Sequence, residues 1–69
     1  MKIKLNDLCG DHVGTLEGPR HLLNNLSIAL DDAAEFNEQE GYHTIAREYH
    51  NYSIQIYNQL KEAAFYDRS

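Results

Sequence analysis

The stretch Leu8-Cys9-Gly10-Asp11-His12 is the one place where this chain sets a cysteine, an aspartate and a histidine within a single turn. Two chemistries draw on such groups. Structural zinc sites take four ligands, usually as two closely spaced pairs. Cys9 and His12 make one pair; with no second cysteine, His21 would supply a third ligand and Asp11 or an open water position would complete the set. A nucleophilic thiol needs a base within hydrogen-bond reach, a group that orients the base, and donors for an oxyanion. Only His12 and Asp11 lie near Cys9, and adjacency in a turn does not preorganise them. Asp and Gly favour turns, and a lone cysteine packs as a small hydrophobe. The expectation is a turn, with no catalytic residue, no metal and no cofactor.

His43 and His50 are two helical turns apart, so they share a face without reaching one metal; a chelating helical pair wants spacing four. More informative is what else shares that face. His43, Arg47, His50, Ile54, Tyr57, Lys61 and Phe65 recur at helical spacing. Their mixture of cations, aromatics and an aliphatic residue is the composition enriched at binding hot spots. This stripe is the first candidate for partner binding. The second is a largely acidic face carrying Ile28, Asp31 and Glu35, suited to a basic groove on another protein. No phosphate-cradling loop or dinucleotide fingerprint is present, because the glycines at 10, 14 and 18 are too widely spaced.

The elements that must position these faces are few. Sixty-nine residues make one small domain. One cysteine excludes an internal disulfide, and a lone thiol fits a reducing, cytoplasmic setting. No apolar run predicts a membrane span or an export signal. The net charge of −5 argues against general affinity for nucleic-acid backbones and suits a basic protein surface.

Residues 1–18 hold three of the four glycines and one alternating run, Lys2-Ile3-Lys4-Leu5, which predicts at most a short strand in an otherwise irregular, turn-rich segment. Val13 and Leu16 are expected over the core. Residues 19–69 read as a helical hairpin. Pro19 suits the first helical position. Leu22, Leu26, Ala29, Ala33 and Phe36 form one apolar stripe, flanked by Leu23, Leu30 and Ala34. Ile45, Tyr49, Tyr52, Ile56, Leu60 and Ala63 form another, with Tyr42, Ala46 and Ser53 beside it. At 100° per residue the two stripes are centred roughly 135° apart, so one straight helix would point its halves in different directions. Gly41 sits where a C′ residue would end the first helix. The chain therefore turns back at residues 37–41, as an antiparallel pair whose large and small side chains oppose each other.

Two helices alone bury little surface. The expected architecture is mostly α: a two-helix hairpin that dimerises into a four-helix bundle. In style, residues 19–66 look like the small acidic regulators and phage-encoded inhibitors of bacteria, which act by binding one protein. They also loosely resemble short phosphatase hairpins whose signature is S-Q-E-L-D. Here the nearest stretch is Ser53-Ile54-Gln55-Ile56-Tyr57, so no phosphatase activity is implied. The expected function is a non-enzymatic interaction protein that modulates or inhibits a protein partner, of phage or mobile-element type. The alternative is an oligomeric binder of a small phosphorylated or nucleotide ligand, with Arg47 and Lys61 on phosphate and Tyr57 stacked on a base.

Overall fold

A computed structural model describes the backbone of residues 1–67 and the side chains of residues 1–63. The chain runs through two strands, β1 (Lys2–Asn6) and β2 (His12–Glu17), and two helices, α1 (Arg20–Gln39) and α2 (His43–Asp67). The strands pair antiparallel with Ile3 opposite Leu16 and Leu5 opposite Gly14. Residues 1–18 are therefore mostly strand and not irregular. The alternating run at Lys2–Leu5 finds its partner in His12–Glu17, whose glycine had marked it as turn. A register shift near Leu5 and Asn6 takes up one extra residue of β2. Val13 is left 52% exposed, while Leu16 packs on the core as expected.

Outward-facing side chains of β1 and β2 alternate with apolar ones that point at the helices. Ile3 is fully buried in a cluster with Leu23, Ile56 and Leu60, and Leu5, Leu16 and Leu30 pack around it. The sheet thus covers one side of the helix pair. Among the described residues, no helix is long and apolar enough to cross a membrane.

Three amides of α2, one per turn, hold β1 in place. Gln59 accepts from the Lys4 N–H at 3.0 Å and donates to its carbonyl at 2.8 Å. Gln55 does the same for Asn6, at 2.8 Å each way, and Asn51 Nδ2 adds a third contact to the Asn6 carbonyl. A side-chain amide offers the same donor and acceptor as a peptide group. Because residues four apart on a helix stack on one face, they match alternate residues of a strand. The amides act as a third strand on the outer edge of β1.

Contacts between the helices run in opposite order along the chain. The Arg20 guanidinium donates to the Leu60 carbonyl at 2.8 Å, Ser27 meets Ser53, and Glu38 meets His43. Pro19 takes the N-cap of α1 and not its first helical position, and it supplies no side-chain cap. At the other end the Tyr42 N–H reaches the Asn37 carbonyl and the Gly41 N–H that of Glu38. With Gly41 at φ +88°, this is a Schellman motif, and it reverses the chain.

The seam between the helices corrects the expected core. Buried positions on α1 are Leu23, Ser27 and Ala34, with Leu30 half-buried between them. They repeat the spacing of Leu22, Leu26, Ala29 and Ala33 one residue later, a rotation of about 100°. Leu22 and Phe36 are instead 54% and 63% exposed. On α2, Ile56 and Leu60 are buried as expected, but Ala46 and Ser53 are buried where Ile45 is exposed and Tyr49 and Tyr52 are half-buried.

Small residues win these places because they let the backbones approach. Ser27 Oγ donates to the Ser53 carbonyl at 3.0 Å, and Ser53 Oγ returns a bond to the Ser27 carbonyl at 2.8 Å. This reciprocal pair satisfies both hydroxyls within the seam, as buried polar groups require. Substituting Ser27→Leu should force the helices apart and destabilise the fold by about 1–3 kcal/mol, the usual overpacking cost. Urea unfolding monitored by circular dichroism checks this; an unchanged midpoint would mean that the seam tolerates bulk.

Candidate functional site

The turn at residues 7–11 is organised by Asp7. Its Oδ1 accepts from the N–H groups of Cys9 and Asp11, both at 2.9 Å. Gly10 takes φ +90°, and the Asp7 N–H closes the loop onto the Asp11 carbonyl at 2.8 Å. These bonds account for the local sequence as a turn between two strands. Cys9 is exposed, and His12 Nε2 lies 3.4 Å from Thr15 Oγ1, not from Cys9. Among the described residues, no three His, Cys, Asp or Glu side chains gather as metal ligands. Cys9→Ser should leave thermal stability and helical content within experimental error, since the thiol fills no core space. Stoichiometric zinc in protein purified without added metal, lost in that variant, would contradict this.

The two faces singled out in the sequence form one surface. Asp31 on α1 accepts from His50 Nδ1 at 3.3 Å, and Glu38 accepts from His43 Nδ1 at 2.8 Å. These bonds bridge the mixed stripe of α2 to the acidic face of α1. Three open clefts line up along the resulting seam. One, of about 300 Å³, is walled by Asp31, Glu35 and Glu38 on α1 and by Arg47 and His50 on α2. The next, of about 320 Å³, shares Asp31 and His50 and is lined by Ile28, Ile54 and Tyr57 over a floor of Ser27 and Ser53. The third, of about 680 Å³, shares Tyr57 and adds Arg20, His21, Asn24, Leu60 and Lys61.

Shared walls make these clefts a single groove on the side of the helix pair away from the sheet. Its character changes along its length. Three carboxylates dominate the end near the interhelical turn, apolar side chains the middle, and Arg20, His21 and Lys61 the far end. From Arg20 to Glu38 the groove follows α1 for about 27 Å.

Six of the seven members of the mixed stripe take part, counting His43 through its bond to Glu38; Phe65 lies outside the residues whose side chains are described. Ile28, Asp31 and Glu35 all line the groove. What sequence reasoning separated were the two walls of one site, because a stripe on each helix carries no information about their relative rotation. Arg20 and His21 were missed as groove residues. Their place at the start of α1, opposite Lys61, follows only from the antiparallel order of the contacts. Arg47 and Lys61 lie about 21 Å apart along α2, so within one chain they cannot grip one small ligand.

No protein-family model, curated protein or solved structure matches this chain.

Proposed function

We propose that the protein is a small non-catalytic interaction module that binds and modulates a protein partner through the interhelical groove. The supporting observation is the continuity of the groove: Asp31, His50 and Tyr57 each line two adjoining clefts, joining acidic, apolar and basic sections into one strip. A strip of this length and pattern suits an amphipathic helix laid along the seam. The partner helix would place an apolar residue against Ile28, Ile54 and Tyr57. It would carry basic residues at the acidic end and acidic residues at the other. Exposed Ile28 and Ile54 at the centre, with charges at the rim, follow the usual anatomy of an interface. A reducing, cytoplasmic setting belongs to the same proposal, on the strength of a single exposed thiol.

A second reading has one observation in its favour. The basic end of the groove gathers Arg20, His21 and Lys61 around Tyr57, with no carboxylate among the described residues that line it. That chemistry suits a phosphorylated or nucleotide ligand, with Lys61 and Tyr57 of the expected set in place and Arg20 in the stead of Arg47, which shares its cleft with three carboxylates.

Self-association is part of the proposal as well. Leu22, Leu26 and Phe36 remain exposed on α1 and support association of copies, but the sheet already covers Leu23, Ile56 and Leu60, which leaves no helix-only core for a bundle. We therefore keep the homodimer and not the four-helix bundle.

Capture from a host lysate on immobilised protein, read by native mass spectrometry, tests the function. The expected result is a stoichiometric protein partner that Ile54→Asp fails to retain. A small phosphorylated ligand lost in Lys61→Ala would favour the second reading. Equal capture by both variants would remove the groove from consideration.

A further inference from the structure

The sheet is closed on one edge and open on the other. On β1, the N–H and C=O groups of Lys4 and Asn6 face α2, where Gln59 and Gln55 bond them. Backbone groups alternate along a strand, so those of Ile3 and Leu5 face β2. Met1 and Gly18 keep the same order, exchanging bonds of 3.2 and 3.1 Å. With Ile3 opposite Leu16 and Leu5 opposite Gly14, the inward residues of β2 are Leu16 and Gly14. Thr15 and Glu17 are left with their backbone donors and acceptors turned outward, and neither makes a backbone bond to a described residue outside the sheet. Among the described residues neither a proline nor an amide clamp blunts this edge as the glutamines blunt the other, and its carboxylate, Glu17, stands opposite Lys2 across the hairpin.

We propose that β2 pairs antiparallel with β2 of a second copy, so that a two-fold axis passing at Leu16 joins two hairpins into one four-stranded sheet. The register follows from the open groups. Antiparallel residues that exchange both bonds must each turn them toward the other strand. The pairing that uses both Thr15 and Glu17 sets Thr15 opposite the second copy's Glu17, and Glu17 opposite the second copy's Thr15. Leu16 then meets the second copy's Leu16 in the closer, non-hydrogen-bonded position, with Cα atoms about 4.5 Å apart.

Side chains suit this register on both faces of the sheet. Leu16 belongs to the face that carries Ile3 and Leu5 toward the helices, so the apolar layer continues across the axis. On the outer face Glu17 already stands opposite Lys2 within its own hairpin. Its new neighbour is the neutral hydroxyl of the second copy's Thr15. A register centred on Glu17 would instead oppose two carboxylates, which is unfavourable.

This association is independent of what the interhelical groove binds.

Thr15→Pro separates the dimer from the fold. Its N–H faces outward, so proline removes a bond between copies without removing one inside the hairpin, the tolerated position for proline on an edge strand. Sedimentation at micromolar concentration should give the wild type a mass of about 16 kDa, twice the 8.0 kDa of the chain. Thr15→Pro should sediment as a monomer of unchanged helical content. An independent reading comes from Leu16→Cys in a Cys9→Ser background, which should oxidise nearly completely to a covalent dimer, while Lys4→Cys in the same background should not. A monomeric wild type, a Thr15→Pro protein that is still dimeric, or the absence of a Leu16→Cys cross-link would each overturn the proposal.

Discussion

Ile56→Ala is expected to leave much of the protein unfolded at room temperature. Ile56 is fully buried and joins all three layers of contact: Ile3 from the sheet, Leu23 from α1, and Leu60 on its own helix. Truncating a buried isoleucine to alanine costs about 2–5 kcal/mol, through lost transfer energy and the cavity left behind. A core of this size provides only about 3–5 kcal/mol in total. Among the described residues only Ile3 and Ile56 are large and fully buried, so no neighbouring layer there absorbs the loss. Far-ultraviolet circular dichroism against temperature should show a broad, early transition for the variant, and the hairpin should detach with it. A shift of only a few degrees would mean that the sheet contributes little to stability.

Tyr57→Ala should weaken partner binding by about 1–4 kcal/mol, or about fivefold to a thousandfold, the range for an interface anchor. Tyr57 is 56% exposed, so its ring adds little to the core. It lines both the apolar middle and the basic end of the groove, where a docked helix must cross it. An aromatic ring with a polar tip suits such a place, offering area and a directional hydroxyl together. Stability of the variant should change far less than affinity. Loss of helical content equal to the loss of binding would assign Tyr57 a structural role.

Legibility in the sequence followed the strength of the local signal. The two helices and the stop at Gly41 were readable because apolar periodicity and a glycine after the last turn are local features. The rotation of each helix was not. Hydrophobic weight placed the centre of α1 on Leu22, Leu26 and Phe36, whereas the seam runs through Ser27 and Ala34, residues chosen for size. Ser27 and Ser53 gave no hydrophobic signal at all, and their reciprocal bonds exist only once the backbones are close. The hairpin was half-legible: Lys2–Leu5 alternates clearly, but Gly14 disguised its partner strand. Asn51, Gln55 and Gln59, spaced four apart, carried a readable hint that one face of α2 holds amides for a strand edge. Of the candidate site, both walls were named, and their union depended on that unread rotation.

The groove as the partner-binding surface is tested most directly by measuring partner affinity and oligomeric mass together on Tyr57→Ala and Arg47→Ala. The expected result is a loss of affinity in Tyr57→Ala and a gain in Arg47→Ala, which removes a cation from the section that faces the partner's basic residues, with folding intact and mass equal to that of the wild type. Arg47 stands within the acidic cleft and Tyr57 at the opposite side of the apolar middle, so the pair samples the groove at two separate places. Wild-type affinity in both variants, with mass unchanged, would contradict the account and leave the groove as solvated surface.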